Sequence, residues 1–181
     1  MKRVLALAAM IWFVSAAAIA ENYKALKIPA PKSGATWGIL DRDGGNRQVE
    51  KYLSSLVGGE SGTGAIVSPS FRLSGGKITF TICGHDGDRG GQNQNYVALV
   101  DVRKGKVLRQ ESAPGNDAMQ EKSWEGADLK DRDVRIEIHD GLAATAFAWL
   151  GVGRIDAGKD FQVDFRQGLP KDWTAEAKTL P

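Results

Sequence analysis

One cysteine and two histidines are all that the 181-residue chain holds of the side chains that build disulfides and zinc sites. A lone Cys83 forms no internal disulfide, and three such residues are too few for a closed zinc site of the Cys/His type. Stability must therefore come from the apolar core. Net charge is also nearly missing. The chain has 24 Lys and Arg against 22 Asp and Glu, and without Lys2 and Arg3 the two counts are equal at 22. That balance gives no electrostatic footing for nucleic acid or an anionic membrane. Beyond residue 20 no apolar run approaches the ~20 residues that span a bilayer. No Gly-x-Ser-x-Gly elbow occurs, and there are no internal repeats or low-complexity tracts.

The first 20 residues carry a recognisable arrangement. Lys2 and Arg3 begin it, Val4 to Ala17 form an apolar run broken only by Ser15, and Ala18-Ile19-Ala20 closes it with small residues. This is the order of a cleavable export signal, with Glu21 as the expected mature N-terminus and the periplasm or the extracellular space as the destination. Removing 20 residues leaves 161, enough for one domain with a real core and no membrane span.

Residues 21–47, with Pro29, Pro31 and Gly34, show no periodicity and read as a lead-in segment. Val49, Tyr52, Leu53 and Leu56 fall at helical spacing, so a short helix is expected over Gln48–Val57. The period then changes to two. Ile78, Phe80 and Ile82 alternate with Thr79 and Thr81, and Val134, Ile136 and Ile138 alternate in Asp133–His139. Tyr96–Val102 leads through Lys104-Gly105 into Val107–Arg109 as a hairpin, and Ala146–Val152 and Phe161–Phe165 supply two more strands. Short strands at even spacing with Gly-rich turns predict an all-β sandwich over 48–166, followed by a polar tail over 167–181. One face of the 78–82 run should pack against Val134, Ile136 and Ile138.

The segment Gly59-Glu60-Ser61-Gly62-Thr63-Gly64, followed by Ser68-Pro69-Ser70-Phe71, resembles a recurring stretch of galactose-binding-like jelly-roll domains. The resemblance is nearest to the sandwich modules of bacterial fructan-cleaving glycoside hydrolases and related secreted proteins. It continues through Ile78–Gly84, Tyr96–Arg109, Gly115-Asn116, Met119, Trp124, Val134–Asp140 and Trp149–Ile155. Leu150 stands after Trp149 where a glycine is usual, and Glu125 follows Trp124 where an aspartate is usual. The resemblance implies a jelly-roll sandwich, a carbohydrate ligand and a structural calcium ion whose position the sequence does not give.

Sugar recognition needs planar groups that pair with vicinal hydroxyls, together with an aromatic face. The polar loop His85–Asn95 supplies His85, Asp86, Asp88, Arg89, Asn93 and Asn95, Glu60 lies among glycines, and Asn116 follows a Gly in the resemblance. These eight residues are the expected ligand contacts, with Glu60 beside Asp86, Asp88 and Asn93. For Glu60 a loop anchor is an equal alternative, and for the loop a solvated surface loop is the more ordinary reading. Asp41–Asn46 lacks the third acid and distal Glu of a calcium loop and reads as a turn. Trp124 and Trp149 read as packing residues. His139-Asp140 ends a strand without an accompanying nucleophile. The expected function is non-catalytic binding of a polysaccharide or glycoconjugate. A protein-contact or surface-assembly module is the alternative, and a small glycoside hydrolase is a more distant one, since 22 acids always allow some carboxylate pair to be imagined.

Overall fold

The computed structural model describes residues 26–27 and 37–176, so the export signal expected over 1–20 lies outside the described residues. Two antiparallel sheets pack face to face. The first runs β1 (Leu26–Lys27), β2 (Gly38–Arg42), β3 (Gln48–Ser54), β11 (Ala148–Asp156), β6 (Ile78–Asp86) and β9 (Asn116–Trp124), with β12 (Gln162–Asp164) also on β11. The second runs β13 (Thr174–Glu176), β4 (Gly64–Val67), β10 (Asp133–Asp140), β7 (Asn95–Asp101) and β8 (Lys106–Ser112), with β5 (Phe71–Arg72) on β10. The chain changes sheet between β3 and β4, β5 and β6, β6 and β7, β8 and β9, β9 and β10, β10 and β11, and β12 and β13. An all-β sandwich of jelly-roll type accommodates this arrangement. Among the described residues no helix is long and apolar enough to cross a membrane.

The period-two reading explains the core. Ile78, Phe80 and Ile82 point from β6 into the space between the sheets, and Val134, Ile136 and Ile138 fill it from β10; all six are fully buried. Phe80 lies 4.5 Å from the Trp124 ring, centre to centre, at a tilt of 53°. Trp124 and Trp149 are both buried, in keeping with packing roles.

The helix expected over Gln48–Val57 is not formed. These residues make β3 and then a 3-10 helix at Leu56–Gly58. The apolar residues serve two surfaces instead of one helical stripe: Leu53 enters the intersheet core, while Tyr52 and Leu56 join Leu40, Cys83 and Trp149 in a second cluster on the outer face of the first sheet. Strand pairing of Ile39 with Leu53 and Leu40 with Tyr52 satisfies the main chain that a helix would have satisfied internally. The outer cluster depends on Gly151, where a Cβ would meet Cys83 Sγ at 2.6 Å and the Tyr52 ring at 2.7 Å. Burial pushes the Cys83 thiol well above its ordinary range, helped by the charges of Asp117 and Asp43.

The strands continue past 48–166 at both ends. Trp37 and Ile39 from the lead-in and Trp173 from the tail belong to the intersheet core, and Trp173 meets Phe165 edge-on at 5.2 Å. β9 also goes beyond the strands read from the sequence.

Candidate functional site

Strand alternation decides where the expected site residues go. β6 runs through Asp86, so Asp86 continues the inward row of Ile78, Phe80 and Ile82, while His85 points to the outer face. Asp86 is fully buried at one end of the sandwich. Its carboxylate accepts the main-chain N–H groups of Asn93, Gln94 and Asn95. Asn95 is equally buried. Its amide donates to the His85 carbonyl at 2.9 Å, and its Oδ1 accepts Gly141 N–H and Leu142 N–H at 2.9 and 3.0 Å. Because β6 and β7 belong to different sheets, these two side chains fasten the sandwich at its end. Neither presents a free edge to a ligand.

Glu60 accepts the Ala148 N–H through Oε2 at 2.7 Å, and its carbonyl accepts Ala144 N–H. Ala148 in turn pairs with Asp86 across β11 and β6, so Glu60 and Asp86 do share one end of the molecule. Glu60 works there as the anchor of the 141–147 loop. Asn93 is exposed and accepts the Ser112 hydroxyl. Asp88 and Arg89 are exposed without a hydrogen bond or ion pair among the described residues. Asn116 is exposed at the start of β9, its Oδ1 accepting Ala118 N–H. Asp41–Asn46 closes as a turn: Asp43 is buried and takes both the N–H and the guanidinium of Arg47.

Around His85 the outer face builds something else. His85 Nε2 donates to Asp117 Oδ1 at 3.0 Å. The His85 ring lies 5.1 Å from Phe147 in an edge contact and 6.0 Å from Trp149. The 43–47 turn folds over this spot, so that a Cβ on Gly44 would strike Asp117 Oδ1 at 2.5 Å and the Trp149 ring at 3.0 Å. Phe147 is 48% exposed and sits at φ +60°, a conformation that costs a bulky residue on the order of 1–3 kcal/mol. Its carbonyl accepts Gly87 N–H at 2.8 Å, so the loop carrying Asp88 and Arg89 leaves the sheet beside it. An aromatic face and an imidazole–carboxylate pair thus gather at one edge, while Asn116, paired with Gly84, is on the opposite face of β9 from Asp117.

Of these residues His85 was expected from the sequence; Asn116, also expected, is not brought to this face. Asp117 and Phe147 were not expected. The signal for Asp117 was its place beside Asn116, and the signal for Phe147 was a large aromatic just ahead of a buried strand.

The same face also holds a cavity of about 390 Å³ lined by Val49, Tyr52, Thr81, Met119 and Arg154, with Arg166 at its rim. Its arginines are engaged, Arg154 with Glu121 and Arg166 with Asp164 and Glu50, and Tyr52 is buried below. It offers no exposed ring.

On the second sheet, His139 donates to Glu137 at 2.7 Å and stacks on Tyr96 at 4.6 Å, while Arg135 pairs with the same carboxylate. The hydrogen bond from His139, then that from Arg135, holds the Glu137 carboxyl below its ordinary range. Asp140 behaves oppositely: burial pushes its carboxyl up to about 8, the Glu60 charge adds to this, and a hydrogen bond from Ser55 opposes it. Among the described residues no three His, Cys, Asp or Glu side chains are grouped to hold a metal.

No protein-family model matches the chain, and no curated protein matches it. A solved structure similar to it is the K1 cleaved adhesin domain of Lys-gingipain (Kgp) from Porphyromonas gingivalis W83. The two are 13% identical with a TM-score of 0.39, over 74% of this chain and 88% of that one. A likeness this loose speaks to neither ligand nor partner.

Proposed function

We propose that this protein is an exported, non-catalytic module of galactose-binding-like kinship that binds a polysaccharide or glycoconjugate at the outer edge of its first sheet. The observation that carries the reading is Phe147. A half-exposed ring held at φ +60° costs stability and contributes nothing to either core, so its retention is explained by contact with something outside the chain. The surroundings favour a sugar. A pyranose or furanose offers an apolar C–H face that suits an aromatic ring, and hydroxyls that suit the carboxylate of Asp117. Asp88 and Arg89 on the adjoining loop add charged groups within the same region.

A glycan array followed by titration calorimetry tests the reading, with Phe147→Gly as the diagnostic variant. Glycine accepts φ +60° without strain, so the variant should melt at the same temperature or higher while glycan binding falls tenfold or more. Failure of the unmodified protein to bind any glycan, or unchanged affinity in Phe147→Gly, overturns the proposal.

A further inference from the structure

Strand pairing leaves a fork in the first sheet. β3 follows β11 only at Leu53 and Ser54, whereas β12 joins the other end of β11 at Arg154, Ile155 and Asp156. The cavity of about 390 Å³ lies between these two branches, and its size is within the roughly 300–1,000 Å³ of small-molecule sites. Both strands that flank it are irregular. β11 sets two residues, Gly153 and Arg154, opposite the single Thr81 of β6, and Val49–Lys51 of β3 have no partner in the register of β2 or β11. Such bulges re-aim side chains and are over-represented beside functional sites. Here the β11 bulge fixes Arg154 next to the space that Gly153 leaves. The Arg154 N–H donates to Thr81 Oγ1 at 3.2 Å, and one terminal nitrogen of its guanidinium donates to Glu121 of β9 at 3.2 Å. A Cβ on Gly153 would lie 2.5 Å from Thr81 Oγ1 and 3.8 Å from Met119 Cε, so the glycine keeps the floor open. Val49 and Met119, both half-buried, make that floor apolar. The charges of the lining are unevenly spent. Its two acids, Glu50 and Asp164, are both held by Arg166. Arg154 has only Glu121 as an ion-pair partner among the described residues, in a pair 59% and 65% exposed and therefore weak and exchangeable. Lys51, exposed at the rim, has no ion pair among the described residues.

We propose that this fork binds a small organic acid, with Arg154 and Lys51 taking the carboxylate and the floor of Val49, Met119 and Gly153 taking an apolar body. A guanidinium matches a carboxylate through two parallel N–H···O bonds. Arg154 commits one terminal nitrogen to Glu121, which leaves Nε and the other terminal nitrogen for a ligand. Lys51 adds a second, adaptable positive charge from the opposite branch of the fork. Inorganic phosphate or sulfate would meet the same cations but leave the apolar floor uncovered, so an anion with a hydrocarbon body makes the better use of both. The exposed Glu121 is displaced at little cost, because a surface ion pair of this kind contributes little to the fold. This inference does not rest on the sugar reading, and the two sites share no residue.

The test is titration calorimetry of the purified protein with benzoate and hexanoate, each beside its uncharged amide, and with glucuronate as an acid that has no apolar body. Benzoate and hexanoate should bind saturably and about tenfold or more tighter than benzamide and hexanamide, and added salt should weaken them. Glucuronate should bind more weakly than benzoate. Arg154→Gln should lower benzoate affinity about tenfold, and Arg154→Lys should restore part of the loss. Met119→Trp, which fills the floor from a half-buried position, should abolish binding. Arg154 is on the surface, so its variants should melt with the parent and keep whatever glycan binding the parent shows, which lets the two sites fail separately. The proposal is overturned by amides that bind as well as their acids, by glucuronate binding tighter than benzoate, by an affinity that Arg154→Gln does not move, or by no binding of either apolar acid.

Discussion

Replacing Asp86 by alanine removes the acceptor from three main-chain N–H groups in one step. The Asn95 N–H is buried, and leaving it unpaired costs about 1–3 kcal/mol. The Asn93 and Gln94 donors are only partly buried and recover some of their loss from water, at about 0.5–1.5 kcal/mol each. Together the change should cost about 2–6 kcal/mol, a large share of the roughly 5–15 kcal/mol that holds a domain folded. Urea denaturation followed by tryptophan fluorescence should show a lower midpoint with an unchanged slope, and the melting temperature should drop by roughly 5–20 °C. Asp88→Ala, two residues along the same loop, should stay within about 0.5 kcal/mol because its exposed carboxylate bonds to nothing in the fold. A loss below about 1 kcal/mol in Asp86→Ala, or an equal loss in Asp88→Ala, would refute the claim that Asp86 is the fastening of this end.

Phe80→Ala should cost about 3–5 kcal/mol in the same assay, since a fully buried ring and its contact with Trp124 are both lost; a cost below about 1 kcal/mol would mean that the face is not packed. Glu137→Gln should lose stability at neutral pH and not in acid. The depressed folded-state value means that stabilisation by this carboxylate is present above its ordinary value near 4.5 and vanishes as the pH falls through the lower folded value. The difference between wild type and variant should therefore begin to shrink as the pH falls towards about 4.5 and go on shrinking through the lower folded value in urea melts, and a difference that stays constant would count against the Glu137–His139 pairing.

How much of this was legible in the sequence differs from element to element. The rows Ile78–Ile82 and Val134–Ile138 were plain because β-branched residues alternating with polar ones have few other uses. β9 was not, because Asn116–Trp124 lies at the end of its sheet, half-buried, and has only Ala118, Met119 and Trp124 to show an apolar face. Val49, Tyr52, Leu53 and Leu56 misled for the opposite reason: this part of the sheet is covered on both sides, and a strand buried on both faces loses its alternation. Trp37 and Trp173 stood in polar or irregular surroundings, and no local pattern reports that a distant core needs them.

The site followed the same logic. Reading His85 and Asp86 together as one polar loop missed that the strand extends through both, which sends the two side chains to opposite faces. Glu60 was readable as an acid in a Gly-rich loop, but its use as an acceptor for Ala148, 88 residues away, depends on tertiary placement alone.

Trp37 and Trp173 share one hydrophobic core although 136 positions separate them. A ribosome adding about 5–20 residues per second takes on the order of 10–30 s to cover that distance. Throughout that interval Phe80 and its neighbours on β6 lack part of their final cover, and none of the early strands can settle into a finished sandwich. Assembly must therefore wait for nearly the whole chain, as is usual where distant pairings dominate. Such a polypeptide carries incompletely covered apolar surface until its last strands are made, and in that state it is prone to aggregate.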